Sequence, residues 1–144
     1  MHQKDLTIKK TFTIASQNHQ KNNFKVAKNL YKKILKINPN HFESIFYLGV
    51  LLLESNNFDR AKQLFQKAIR IQPNYAPAHN NLGIIFNALE EAQKAISSYQ
   101  KAIRIQPNYA PAHNNLGIIF NALEEAQKAI SSYQKSIRIQ PNYA

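Results

Sequence analysis

From Ala78 to Leu89, apolar residues fall at Leu82, Ile85, Phe86 and Leu89, in steps of three and four that put them on one helix face. A second stretch, Lys94 to Ile105, gathers Ala95, Tyr99, Ala102 and Ile103 on one side. Its other side carries Lys94, Ser97, Ser98, Lys101 and Arg104, the pattern of an amphipathic surface helix. Pro77 suits the first turn of the earlier helix, where its missing N–H has no partner to lose. Pro107 cannot continue the later helix and ends it. Glu90, four residues before Lys94, adds a few tenths of a kcal/mol to the start of the second helix.

This two-helix pattern recurs. Gly49, Gly83 and Gly117 are each 34 residues apart, as are Pro39, Pro73, Pro107 and Pro141, and the pair Pro77 and Pro111. A fixed period of this size marks a repeat array. Residues 76–109 and 110–143 differ only in Ala102 against Ser136, and HNNLGIIFNAL occurs in both. The expected divisions are a tail at 1–7 and units at 8–41, 42–75, 76–109 and 110–143. A helix-interior glycine costs about 0.8–1 kcal/mol relative to alanine. Close approach of the two helices of a unit supplies the reason, and Ala15 fills the matching place in the first unit.

The spacing of these residues resembles the tetratricopeptide repeat family. Its signature of a large residue, Leu-Gly, an aromatic, Ala, an aromatic and Pro reads here as Ile45, Leu48-Gly49, Leu52, Ala61, Phe65 and Pro73. The third unit has His79, Leu82-Gly83, Phe86, Ala95, Tyr99 and Pro107, and the fourth has His113, Leu116-Gly117, Phe120, Ala129, Tyr133 and Pro141. The first is degenerate, with Thr11, Ile14-Ala15, Asn18, Ala27, Tyr31 and Pro39. Asn22-Asn23 and Asn56-Asn57 suit the turn inside a unit, whereas Glu90-Glu91 and Glu124-Glu125 depart from the family's turn residues. The resemblance implies an all-α protein, an α-solenoid of helix-turn-helix units wound into a right-handed superhelix. It also implies that first helices line the concave face, here Phe46, Tyr47, Val50, Leu53, Asn80, Asn81, Ile84, Asn87, Asn114, Asn115, Ile118 and Asn121.

The asparagines ask for a reason, because each is about 0.5 kcal/mol worse than alanine in a helix. A carboxamide both donates and accepts, which suits a peptide backbone. Asn81 and Asn115 match the asparagine ladder of O-linked N-acetylglucosamine transferase repeat arrays, with Thr13 and Tyr47 in the corresponding places of the other units. The Lys, Arg and Asn clamp of chaperone-binding members is replaced by Phe12 or Phe46, Ser16 or Val50, and Pro111, so no carboxylate clamp is expected.

Charge and composition narrow the rest. Net charge is +11, and residues 1–41 hold nine Lys against Asp5 alone. Lys25, Lys28, Lys32 and Lys36 share one helix face that can meet phosphate, but no base-reading pattern accompanies them, and nucleic acid ranks last among the partners. There is no cysteine, no apolar N-terminal leader, and no apolar run longer than Ile45 to Leu53, so a cytoplasmic protein without membrane insertion is expected. His79 and His113 stand alone in packing positions, and no catalytic motif, metal site or cofactor is expected. The sequence stops where a further first helix would begin, which is expected to leave Ile130, Tyr133 and Ile137 uncovered for self-association as a dimer or end-to-end stack. The leading expectation is a non-enzymatic protein-interaction scaffold that binds an extended peptide. A substrate-recruiting piece of a larger enzyme such as a glycosyltransferase comes second, and binding of nucleic acid or an anionic surface through the first unit third.

Overall fold

A computed structural model describes residues 2–139, with all side chains there except those of Tyr133 and residues 135–139. Seven helices follow one another, and no strand occurs among the described residues: α1 Gln3–Gln20, α2 Phe24–Ile37, α3 Phe42–Glu54, α4 Phe58–Ile71, α5 Ala76–Ala88, α6 Ala92–Ile105 and α7 Ala110–Ile139. The chain is an all-α solenoid. Helices α1 and α2, α3 and α4, and α5 and α6 pack as hairpins, and each hairpin packs onto the next helix in sequence. None of the described helices is long and apolar enough to cross a membrane.

The turn inside each hairpin has one form. Asn22, Asn56 and Glu90 take left-handed backbone angles, with φ of 64°, 61° and 61°. The next amide then bonds back to the helix, Asn23 to the carbonyl of Asn18, Asn57 to Leu52 and Glu91 to Phe86, each at 2.8 Å. This satisfies carbonyls that the helix end would otherwise leave open. Asparagine tolerates the left-handed region, whereas a residue such as glutamate pays about 1–2 kcal/mol there. The glutamate pair thus makes the same turn at 90–91 as the asparagine pairs do.

Across each hairpin, a small residue of the first helix faces an aromatic ring of the second. A Cβ on Gly49 would lie 3.0 Å from the Phe65 ring, and one on Gly83 only 2.4 Å from Tyr99. Ala15 and Tyr31 are both fully buried in the first hairpin. The second helices bury the same trio of positions, Ala27, Tyr31 and Ile34 in α2, Ala61, Phe65 and Ala68 in α4, and Ala95, Tyr99 and Ala102 in α6. Burial of one such large side chain contributes about 1.5–3 kcal/mol. Leu82 and Ile85 are core, with Phe86 and Leu89 packed half-buried against it.

At the two ends the helices run differently from the hairpin pattern of the middle units. Residues 3–7, ahead of the first unit, are helical and begin α1, with Asp5 in its first turn and Thr7 Oγ1 donating to the Gln3 carbonyl; Ile8 is already buried, so the helix extends outward from packed residues. The described part of the last unit does not turn back as a hairpin. Residues 110–139 form one helix of 30 residues that runs straight through Glu124 and Glu125. Gly117 accordingly has nothing within 4 Å of a Cβ position. The physical reason is a balance. Helices α5 and α6 lie between α4 and α7, and their mutual burial offsets the strained Glu90 turn. In α7 the same glutamate pair stays helical instead, with Glu124 paired to Lys128 at 3.3 Å and no left-handed residue to offset.

The ring contacts yield a graded expectation. Gly83→Ala should destabilise the protein by about 1–3 kcal/mol through overpacking, less about 1 kcal/mol gained in helix propensity. Gly49→Ala, with its looser approach, should cost less. Urea denaturation of the two variants would show this order, and equal or inverted losses would contradict the packing described.

Candidate functional site

Helix α5 touches α3 and α7, its counterparts in the neighbouring pairs, so the odd-numbered helices share one side of the solenoid. Their residues build a continuous inner face. Tyr47 is 36% exposed on it. Val50, Leu53, Asn81, Ile84 and Asn115 are half-buried, and Asn87, Asn114, Ile118 and Asn121 are exposed. Phe46 and Asn80 depart from expectation, being 5% and 4% exposed. Phe46 turns into the core, edge-on to Phe65 at 5.6 Å and to Tyr75 at 5.1 Å. Asn80 is covered by the next unit, where Asn115 Nδ2 donates to Asn80 Oδ1 at 3.1 Å. One asparagine of each repeated pair thus joins neighbouring units, and part of Asn115's hydrogen-bonding capacity is already used.

Between α1 and α3 the face deepens. A pocket of about 310 Å³ is lined by Ser16, His19, Gln20, Tyr31, Tyr47 and Val50. A second, of about 480 Å³, continues along the same two helices past Phe12 and Thr13 to Asp5, Lys9, His41 and Glu43. The floor is aromatic. The rings of Tyr31 and Tyr47 stack at 6.4 Å, and Phe12 lies 6.0 Å from Tyr31 and 6.1 Å from Tyr47. The rim is polar, with His19 Nε2 3.6 Å from Glu54 Oε2 and His19 Nδ1 3.4 Å from the Tyr31 hydroxyl. Burial pushes the Tyr31 phenol upward, against a smaller lowering by its hydrogen bond to Ser16. An apolar floor with a polar rim suits an extended peptide that inserts a side chain and keeps its backbone at the edge.

Ser16, His19, Gln20, Tyr31 and Glu54 were absent from the expected site. A signal for them existed, because Ser16, His19 and Gln20 lie one period of 34 before Val50, Leu53 and Glu54. The degenerate first unit hid it. The isolated histidines have a structural role instead. His79 Nε2 donates to the Pro73 carbonyl at 2.8 Å, and His113 Nε2 to the Pro107 carbonyl at 2.7 Å. Each ties a first helix to the loop before it, and the ring nitrogen there carries the proton because a carbonyl only accepts. No group of three or more His, Asp or Glu placed to hold a metal occurs among the described residues. Lys25 and Lys28 of α2 join Phe24, Leu51, Leu52, Glu54 and Ser55 around a separate pocket of about 370 Å³. Of the expected self-association residues, Ile130 is 50% exposed, whereas the side chains of Tyr133 and Ile137 lie outside the described residues.

Known proteins share this architecture. Two sequence profiles, both of the tetratricopeptide repeat, match residues 74–142 and 19–83. A MamA crystal structure is 31% identical, with a TM-score of 0.74 over 95% of this chain and 75% of that one. The chain belongs to the tetratricopeptide repeat family. A Thermobaculum terrenum O-GlcNAc transferase mutant is 26% identical, with a TM-score of 0.78 over 83% of this chain. The present chain spans 23% of that transferase chain. The first TPR of Spaghetti (RPAP3), bound to the HSP90 peptide SRMEEVD, shares the fold at 19% identity and a TM-score of 0.76, over 81% of this chain and 93% of its own. No curated protein sequence matches. Tetratricopeptide repeats are protein-interaction modules and are generally non-catalytic.

The buried tyrosines set an alkaline limit on this repeat protein. Burial pushes Tyr99 up to about 12, and Tyr31, Tyr75 and Tyr109 also move upward, chiefly from burial. A phenol with a folded pKa above its unfolded value of about 10 contributes fully below pH 10 and loses that contribution as pH rises through the folded value. Stability to urea should therefore fall between pH 10 and about 12, by up to about 1.4 kcal/mol per pH unit for Tyr99, with the other three adding in the same direction. Tyr99→Phe should make that fall shallower, and an unchanged slope would contradict this origin.

Proposed function

We propose that this tetratricopeptide repeat protein is a non-enzymatic scaffold that holds an extended peptide segment along its inner face. The observation that carries the reading is the aromatic-floored groove between α1 and α3, on the same side of the solenoid as the half-buried Asn81 and the exposed Asn87 and Asn114. Tyr47 and its neighbours offer an anchor for an apolar or aromatic side chain of the peptide. The carboxamides beyond it can pair with the peptide's backbone without selecting for charge. The peptide differs in kind from the one in the Spaghetti complex. Phe12, Phe46, Ser16, Val50 and Pro111 take the places where a clamp for a terminal carboxylate needs Lys, Arg and Asn, so internal segments are the expected ligands.

A second reading makes the chain the substrate-recruiting part of a larger enzyme. It is favoured by the likeness to the O-GlcNAc transferase and by Asn81 and Asn115 at ladder positions. Both readings use the same face and predict the same ligand chemistry. Self-association through the C-terminal end, where Ile130 is half exposed, completes the proposal.

Selection from a random peptide library followed by titration calorimetry tests the groove. Tyr47→Ala should weaken a selected peptide by tenfold or more, as expected for an aromatic hot spot. Asn81→Ala should weaken it by about fivefold, the value of one net hydrogen bond. Full affinity in both variants would reject the inner face as the site. For self-association, light scattering should show a dimer or larger species at high micromolar concentration that Ile137→Asp dissociates. A wild-type monomer would sink that part.

A further inference from the structure

One sequence occurs here in two conformations. Residues 76–105 fold back as α5 and α6, whereas residues 110–139, which differ from them only at Ser136 against Ala102, run on as α7. The closed form has a defined seam. Gly83 lies against the Tyr99 ring, and the Lys94 ammonium sits 5.8 Å over the ring of Phe86. In α7 the same seam is open. Gly117 has no neighbour within 4 Å, and Ile118, Phe120 and Leu123 are 62%, 48% and 41% exposed.

The closed form also carries a cost at its turn. Glu90 is held left-handed, and Glu91 Oε2 is buried without a hydrogen bond, with only the Lys94 ammonium at 3.4 Å. The straight helix removes the left-handed residue and pairs Glu124 with Lys128 on the surface. A helix of this length extends about 45 Å. Residues 125–139 therefore point away from residues 110–123 of their own chain and cannot cover them.

The surface complementary to that open seam is known from the chain itself, because residues 125–139 repeat the sequence with which α6 covers α5. Ala129, Tyr133 and Ile137 are the sequence counterparts of Ala95, Tyr99 and Ile103. We infer that two copies of the chain exchange these segments, the α7 helices crossing antiparallel so that residues 125–139 of each cover residues 110–123 of the other. One two-fold axis then closes both seams, so the association stops at a dimer. The exchanged pair keeps the hairpin's side-chain contacts while neither copy needs a second left-handed glutamate, at Glu124, besides the one at Glu90. This is the feature that favours a second copy over closure within one chain. The inference rests on the self-association proposed above and specifies its geometry.

The test uses the full chain, which has no native cysteine. Light scattering should show a dimer. Glu124→Gly, which accepts a left-handed turn and weakens the helix, should raise the dimer dissociation constant by about a hundredfold, whereas Glu124→Ala should lower it. Chains carrying Gly117→Cys and chains carrying Tyr133→Cys, equilibrated together, should form a mixed disulfide on oxidation. A dimer indifferent to Glu124→Gly that gives no mixed disulfide would overturn the exchange and leave end-to-end stacking. A monomer at high micromolar concentration would overturn both.

Discussion

The contact of a small residue on one helix with an aromatic ring on the next is what this solenoid depends on. Where Gly49 meets Phe65 and Gly83 meets Tyr99, two helices come close enough for a ring to fill the whole space between them. That closeness leaves the flanking alanines of α2, α4 and α6 fully buried. Each hairpin then presents flat apolar sides to its neighbours, and stacking follows because no single unit can bury those sides alone. The polar faces of the second helices stay outside, and the first helices are drawn together on the inside.

The contact must be strong enough to hold a turn that the local sequence does not always favour. Asn22 and Asn56 enter the left-handed region at little cost, while Glu90 does so only because the hairpin it closes is packed on both sides. The same glutamate pair at 124–125 stays helical within α7. A left-handed glutamate costs about 1–2 kcal/mol, a cost that burial of one large side chain, about 1.5–3 kcal/mol, is enough to offset. Near-identical sequences can therefore sit in opposite conformations within one chain.

The inner face is what the packing leaves over. Positions on the odd-numbered helices that are not taken fully into the core carry Tyr47, His19, Asn81 and Asn87. These residues divide the face into an aromatic groove at one end and an amide-rich strip further along. The division follows from the chain's uneven repeats, since the first two units are divergent and aromatic whereas the later ones are copies of each other. Family membership accounts for the frame and leaves the ligand to these few positions.

Much of the architecture was legible in residue order. A period of 34, glycines and prolines on one lattice, and two amphipathic stretches per period suffice to specify a helical solenoid, because helix faces and stops are local properties. The candidate site was less legible. Asn80 and Phe46 look like surface residues in a helical wheel, yet the neighbouring unit or the core takes them in. His19 and Glu54 fall in unremarkable stretches and meet only when α1 and α3 are brought side by side. The last helix is the clearest case. Residues 76–105 and 110–139 are nearly the same string, so nothing local distinguishes a hairpin from a straight rod. The burial offered by neighbouring helices is a non-local quantity, so the form each copy adopts is visible only in the tertiary structure.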